Sequence, residues 1–145
     1  MARGDVTVFD EAKAKMLDGD WASTDHFYCA ICDNTTTPAA DTATPVLGDF
    51  TEVGTGGTYV TGGTDLGTLA DLVTEAAGTM TFDSATNPTW AANVGNDVDA
   101  YWGIIYNYTD AAHDALAFVD LGGPLDMSAV DLTITWNVSG IFTIA

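Results

Sequence analysis

The stretch HFYCAICDN, residues 26–34, holds both cysteines of the chain in a C-x-x-C spacing, with His26 three residues before the first. Three readings attach to that pattern: a redox dithiol, part of a zinc site, or two buried thiols acting as small apolar groups. The alternation in HFYCAIC discriminates between them. On a strand, His26, Tyr28, Ala30 and Cys32 share one face, and Phe27, Cys29 and Ile31 the other. Cys29 and Cys32 then diverge, with their Cα atoms about 10 Å apart along the strand. A disulfide needs Cα atoms within about 7 Å, and a shared zinc needs convergent thiolates. A redox pair would open a helix rather than sit in a strand. A zinc site on His26, Cys29 and Cys32 lacks a second C-x-x-C, and His113 is the only other imidazole. The expectation is two structural cysteines, with no metal and no cofactor.

Other reactive patterns are weaker. GTGGTYVTGG (54–63) is rich in glycine, but no lysine follows and no helix opens after it, so it reads as a flexible turn around a strand. Asp97 and Asp99 in GNDVDAY, and Asp18 and Asp20 in LDGDW, offer oxygen ligands for calcium without the spaced loop and distal glutamate. They read as solvated turns. The sequons at Asn34, Asn107 and Asn137 matter only in a glycosylated secreted protein, and the N-terminus has no apolar leader. Ser23, Ser84 and Ser128 are candidate nucleophiles, but neither histidine stands in a recognisable catalytic motif. Trp90, Tyr101, Trp102 and Tyr106 could build a sugar platform, although core packing or a subunit interface is the stronger reading on alternating strands. These residues point away from an enzyme.

Charge narrows the partners. The net charge is -18, with 21 acids against three bases, Arg3, Lys13 and Lys15. Three of the acids lie among the first 15 residues; the remaining 18 share the rest of the chain with no Lys or Arg. Such a body repels phosphate, so nucleic-acid binding is not expected. It also stays dispersed where salt screens its own repulsion. No apolar run reaches the roughly 18–20 residues of a membrane helix.

The elements that would carry these residues follow from periodicity. Phe9, Ala12, Met16 and Leu17 recur at helical spacing and predict an amphipathic helix over 7–22, with Thr7 or Asp10 as N-cap and Gly19 near its end. Beyond it the chain is rich in Thr, Val and Gly, the composition of short strands and tight turns. Strands are expected at 25–33, 58–62, 78–83, 99–108, 115–121, 131–138 and 141–144, and a long loop at 33–49. In YWGIIYNY, Tyr101, Gly103, Ile105 and Asn107 oppose Trp102, Ile104, Tyr106 and Tyr108. In DLTITWNV, Leu132, Ile134, Trp136 and Val138 should form one buried face. The predicted fold is mainly β, an antiparallel β-sandwich or jelly roll, divided into an N-terminal arm and helix (1–22) and a body (23–145) of a single domain.

Five segments in order, GTGGTYVTGG (54–63), FDSATNPTW (82–90), YWGIIYNY (101–108), LAFVDLGG (116–123) and LTITWNVSGIFTI (132–144), resemble a family of small virion structural proteins of tailed bacteriophages. The resemblance covers most of the chain and is most specific at its ending. Departures fall at turns: an extra Gly57 before Tyr59, and added length between Trp90 and Tyr101.

What the resemblance implies is a copy-rich particle component without catalytic activity. The favoured address is the outer surface of the head, as a decoration or cement protein that binds the major capsid protein, by analogy as a homotrimer. The interface residues expected are Arg3, Phe9, Lys13 and Lys15, with the balanced helix meeting an acidic capsid. The alternative is a tail, neck or fibre component with a receptor- or carbohydrate-binding tip. A host-derived carbohydrate-binding module is the weakest option.

Overall fold

A computed structural model describes residues 2–144; the ends of the two predicted parts, residues 1 and 145, lie outside the described residues. In chain order the elements are β1 (Val6–Val8), α1 (Asp10–Asp18), β2 (His26–Cys32), a 3-10 turn (Leu47–Asp49), β3 (Thr64–Thr68), α2 (Leu69–Leu72), β4 (Val73–Ala76), β5 (Thr79–Phe82), β6 (Thr89–Trp90), β7 (Ala100–Asn107), β8 (Ala115–Leu125), β9 (Leu132–Thr133) and β10 (Phe142–Ile144). The chain is mainly β and its strands pair antiparallel.

Three segments rich in β-branched and aromatic residues make the centre. β2, β7 and β8 lie side by side in a five-stranded sheet of order β1-β8-β7-β2-β3. Cys29 stands opposite Ile105, and Ile105 opposite Ala117, so apolar side chains form continuous rows across the sheet. Both faces of these strands are covered, which is why their residues are apolar on both sides of the alternation. On one face Phe27 meets Phe82 of β5 edge-on at 5.8 Å and Trp21 at 5.2 Å, and Ile134, Cys29 and Val119 close around Gly103. On the other, Phe118 holds Phe9 at 5.1 Å and Trp102 at 6.1 Å, and Phe9 lies on Phe50. A second sheet, β10-β5-β4, and a ribbon, β6-β9, complete the strands.

The helix is shorter than its periodicity suggests. Residues 6–8 form β1, paired to β8 with Val6 opposite Val119, so this part of the N-terminal segment is an edge of the main sheet. Neither Thr7 nor Asp10 caps α1. Phe9 occupies that position with no side-chain cap, because its ring is drawn into the core. The other end follows expectation: Gly19 adopts φ 75° and its N–H donates to the Lys15 carbonyl.

The expected strand at 58–62 is absent, and 64–68 pairs with β2 in its place. Gly63 makes that crossing possible: at φ 77° a Cβ there would collide with the Cys29 carbonyl. The expected strand at 131–138 shrinks to β9. Leu132, Ile134 and Trp136 are nevertheless buried, while Val138 is fully exposed at the tip of a turn closed by the Gly140 N–H on the Asn137 carbonyl at 2.9 Å. The loop at 33–49 runs back over the sheet, where Ala115 donates to the Pro45 carbonyl and Leu47 to the His113 carbonyl. Among the described residues no helix is long and apolar enough to cross a membrane.

Candidate functional site

The four residues expected to meet a partner are not brought together. Phe9 has no exposed surface; it lies between Phe50 and Phe118 and serves the core. Lys15 leaves α1 toward Asp114 at the start of β8 and forms a part-buried ion pair with it. The Asp114 hydrogen bond holds its amine above the ordinary lysine range against the opposing effect of burial. Lys13 is exposed and pairs with Asp10 one turn back at 2.7 Å. Arg3 lies against Gly122, near the other end of β8. The cations therefore flank β8 at opposite ends instead of forming one patch.

Arg3 borders a feature that no local pattern announces. A cleft of about 630 Å³ opens between residues 3–6, the distal half of β8 and the segment 132–142. Val6, Val119, Ile134 and Trp136 give it an apolar lining, and Arg3, Asp5 and Asp120 are its charged residues. Residues 3–6 lie more than a hundred positions from its other walls in the chain, so only the folded sheet assembles it. The Trp136 indole N–H is buried without a hydrogen-bond partner.

The glycine-rich segment 54–63 is a docking surface for the chain itself. Gly56 and Gly57 pack directly on Gly95 and Asn96, too close for a side chain on either. Buried Asn96 accepts from the Thr58 N–H (2.8 Å) and Tyr59 N–H (3.1 Å), and donates to the carbonyls of Ala91 (3.0 Å) and Met127 (3.2 Å). Tyr59 is buried; its hydroxyl donates to Glu52 (2.7 Å) and accepts from the Ile31 N–H (3.0 Å). Glu52 also accepts from the Gly62 N–H at 2.7 Å. Asp97 joins the same knot, accepting from Gly54 (3.0 Å) and Val98 (2.8 Å), and these bonds hold its carboxyl below the usual range.

Cys29 and Cys32 are free and fully buried, on opposite faces of β2. Burial pushes the Cys29 thiol up to about 12 and raises Cys32 as well, with Glu52 adding to the second. Neither forms thiolate near neutral pH, so both behave as apolar packing groups.

Trp90, Trp102 and Tyr106 are buried, and Tyr101 is half-buried. A partly exposed aromatic row, with Tyr108 at its open side, lies elsewhere. Tyr108 stacks on Tyr28 at 4.1 Å and on His113 at 5.6 Å, with His26 and Asp65 paired nearby at 3.0 Å. Cross-strand pairing of β2 with β7 creates it, a relation that the spacing of Tyr28 and Tyr108 in the chain does not reveal.

No family model, no curated protein and no solved structure matches this chain.

Proposed function

We propose that the protein is a non-enzymatic structural component of a tailed-bacteriophage virion, a decoration protein on the outer surface of the head that binds the major capsid protein and steadies neighbouring subunits. The observation that carries the reading is the charge layout on a mainly-β body: 18 acids and no Lys or Arg after residue 15. A shell component that faces solvent at high copy gains dispersion from such a surface and makes no use of nucleic-acid affinity. The five ordered motifs that resemble virion structural proteins support the same assignment. The finer architecture belongs to the proposal too: the five-stranded sheet and the β10-β5-β4 sheet act as two layers of a jelly-roll-like sandwich, assembled as a homotrimer. With Phe9 in the core and Lys15 held by Asp114, attachment to an acidic capsid falls to Arg3 and Lys13.

A second reading, a tail, neck or fibre tip that binds a receptor or carbohydrate, draws on the Tyr28–Tyr108–His113 row, of which Tyr108 is exposed and the other two half-buried. Symmetry-averaged images of intact particles separate the two. The first predicts trimeric density over the head, in number proportional to the capsid protein. Density confined to the neck or tail, or none in the particle, overturns it.

A further inference from the structure

β1 is one of the two edge strands of the five-stranded sheet, β3 being the other. Its register determines which main-chain groups are spent. Asp120 N–H donates to the Asp5 carbonyl and Phe9 N–H to the Leu116 carbonyl, each at 3.1 Å, with Thr7 opposite Phe118 between them. Residues 5, 7 and 9 thus turn their main-chain groups toward β8. Alternation along an antiparallel pair directs those of Val6 and Val8 away from the sheet. Among the described residues no main chain pairs with Val6 or Val8 on that side, while the next outward group, the Asp10 N–H, is taken by the Ala40 carbonyl at 2.9 Å. The short open edge at Val6 and Val8 is a template for another strand.

The cleft described above begins at the same edge. Val6 and its cross-strand neighbour Val119 contribute to its lining from the sheet, and Ile134 and Trp136 from the covering segment. We propose that the β1 edge and this cleft together receive an extended basic and apolar segment of another protein, added to the sheet as a sixth strand beside β1.

Each part of the proposal has its own chemistry. Main-chain groups of Val6 and Val8 supply the pairing, as in other strand-addition complexes. Every second side chain of the incoming strand faces the sheet side that carries Val6 and Val119, and apolar residues suit that lining. Asp5 and Asp120 outnumber Arg3 in the cleft, on a chain whose net charge is -18, so the remaining side chains favour Lys or Arg. A second copy of this chain fits poorly, because it brings 18 further acids and no base beyond residue 15.

The test uses the full-length protein labelled with nitrogen-15 and three synthetic hexapeptides: alternating Lys-Val, alternating Glu-Val, and Lys-Val with N-methylated valines. The Lys-Val peptide is expected to shift the amide signals of Val6 and Val8 and the indole signal of Trp136. N-methylation removes strand pairing while keeping charge and apolar surface, and should weaken binding about tenfold; the Glu-Val peptide should not bind. Val6→Pro deletes one outward N–H and leaves the inward bonds of Asp5 and Thr7 intact, for an expected loss of about fivefold. Failure of the Lys-Val peptide to move Val6 and Val8 at about millimolar concentration overturns the proposal. So does equal binding by the N-methylated peptide, which would mean charge attraction without a strand.

Discussion

The central strands β2, β7 and β8 are apolar on both sides of the strand, whereas the C-terminal segment 132–144 opens on a run in which apolar residues alternate with polar ones, and the molecule uses the two differently. In the centre, alternation is satisfied on both faces: Phe27, Cys29, Ile104, Ile105 and Phe118 are all buried. In the C-terminal segment only the inner half is covered. Leu132, Ile134 and Trp136 sit against the main sheet, whereas Val138 and Ile144 are exposed and one side opens into the cleft. Strands that are apolar on both faces close a core where ladders run on both sides, and an alternating segment laid over a sheet leaves an open seam. Stability should therefore concentrate in the first region and tolerance in the second.

The largest effect that would expose this difference is Phe27→Ala. A side chain with no exposed surface, touching Trp21 and Phe82, should cost about 3–5 kcal/mol in chemical denaturation. In the native protein both cysteines should resist a thiol reagent at neutral pH and react only on unfolding; rapid labelling would break the picture of a closed centre.

Asn96→Ala comes next, at about 2–3 kcal/mol, because it strips acceptors from the Thr58 and Tyr59 N–H groups and donors from two carbonyls. Phe142→Ala is the counterpart of Phe27→Ala in the seam. Half-buried and stacked on Phe82 at 5.0 Å, it should cost about 1–2 kcal/mol. A loss equal to that of Phe27→Ala would erase the contrast between the regions.

Lys15→Met sharpens the edge between core and surface. The ion pair with Asp114 should contribute about 1 kcal/mol or less. Since the folded protein raises the Lys15 pKa, that contribution is fully present below the unfolded value near 10 and fades as pH rises through the folded value. Wild type and variant should differ by a constant amount across neutral pH and converge in strong alkali. The smallest change is Val138→Ser, within about 0.5 kcal/mol in the same denaturation assay.

Much of the centre was legible in the sequence. HFYCAIC and YWGIIYNY alternate over enough residues that strand and facing follow from period alone, and the divergence of the cysteines with them. β1 was not legible: three residues, VTV, immediately before a helical pattern give no period to read, and the helix expected over 7–22 takes in Thr7 and Val8. Phe9 reads as apolar in the sequence, but its use as an uncapped helix start buried on Phe118 depends on the sheet beneath it. The strand placed at 58–62 failed because Tyr59 is positioned by Glu52, Ile31 and Asn96, partners supplied by the tertiary fold. Val138 kept the alternation in sequence and lost it in space, since the Asn137–Gly140 turn intervenes. Of the candidate surface, the sequence located the cations but not their separation along β8, nor the cleft, whose walls meet only after the strands pair.

The confinement of both lysines to one nine-residue helix also determines how this protein responds to common reagents. Trypsin has no cleavage site after Lys15, so residues 16–145 remain one fragment whether the body is folded or not. Amine-reactive dyes and cross-linkers will modify Lys13, which is exposed, in preference to Lys15, whose amine Asp114 covers. A survey by tryptic peptides would pass over nearly the whole chain, and a cleavage chemistry directed at aspartate or glutamate would recover it.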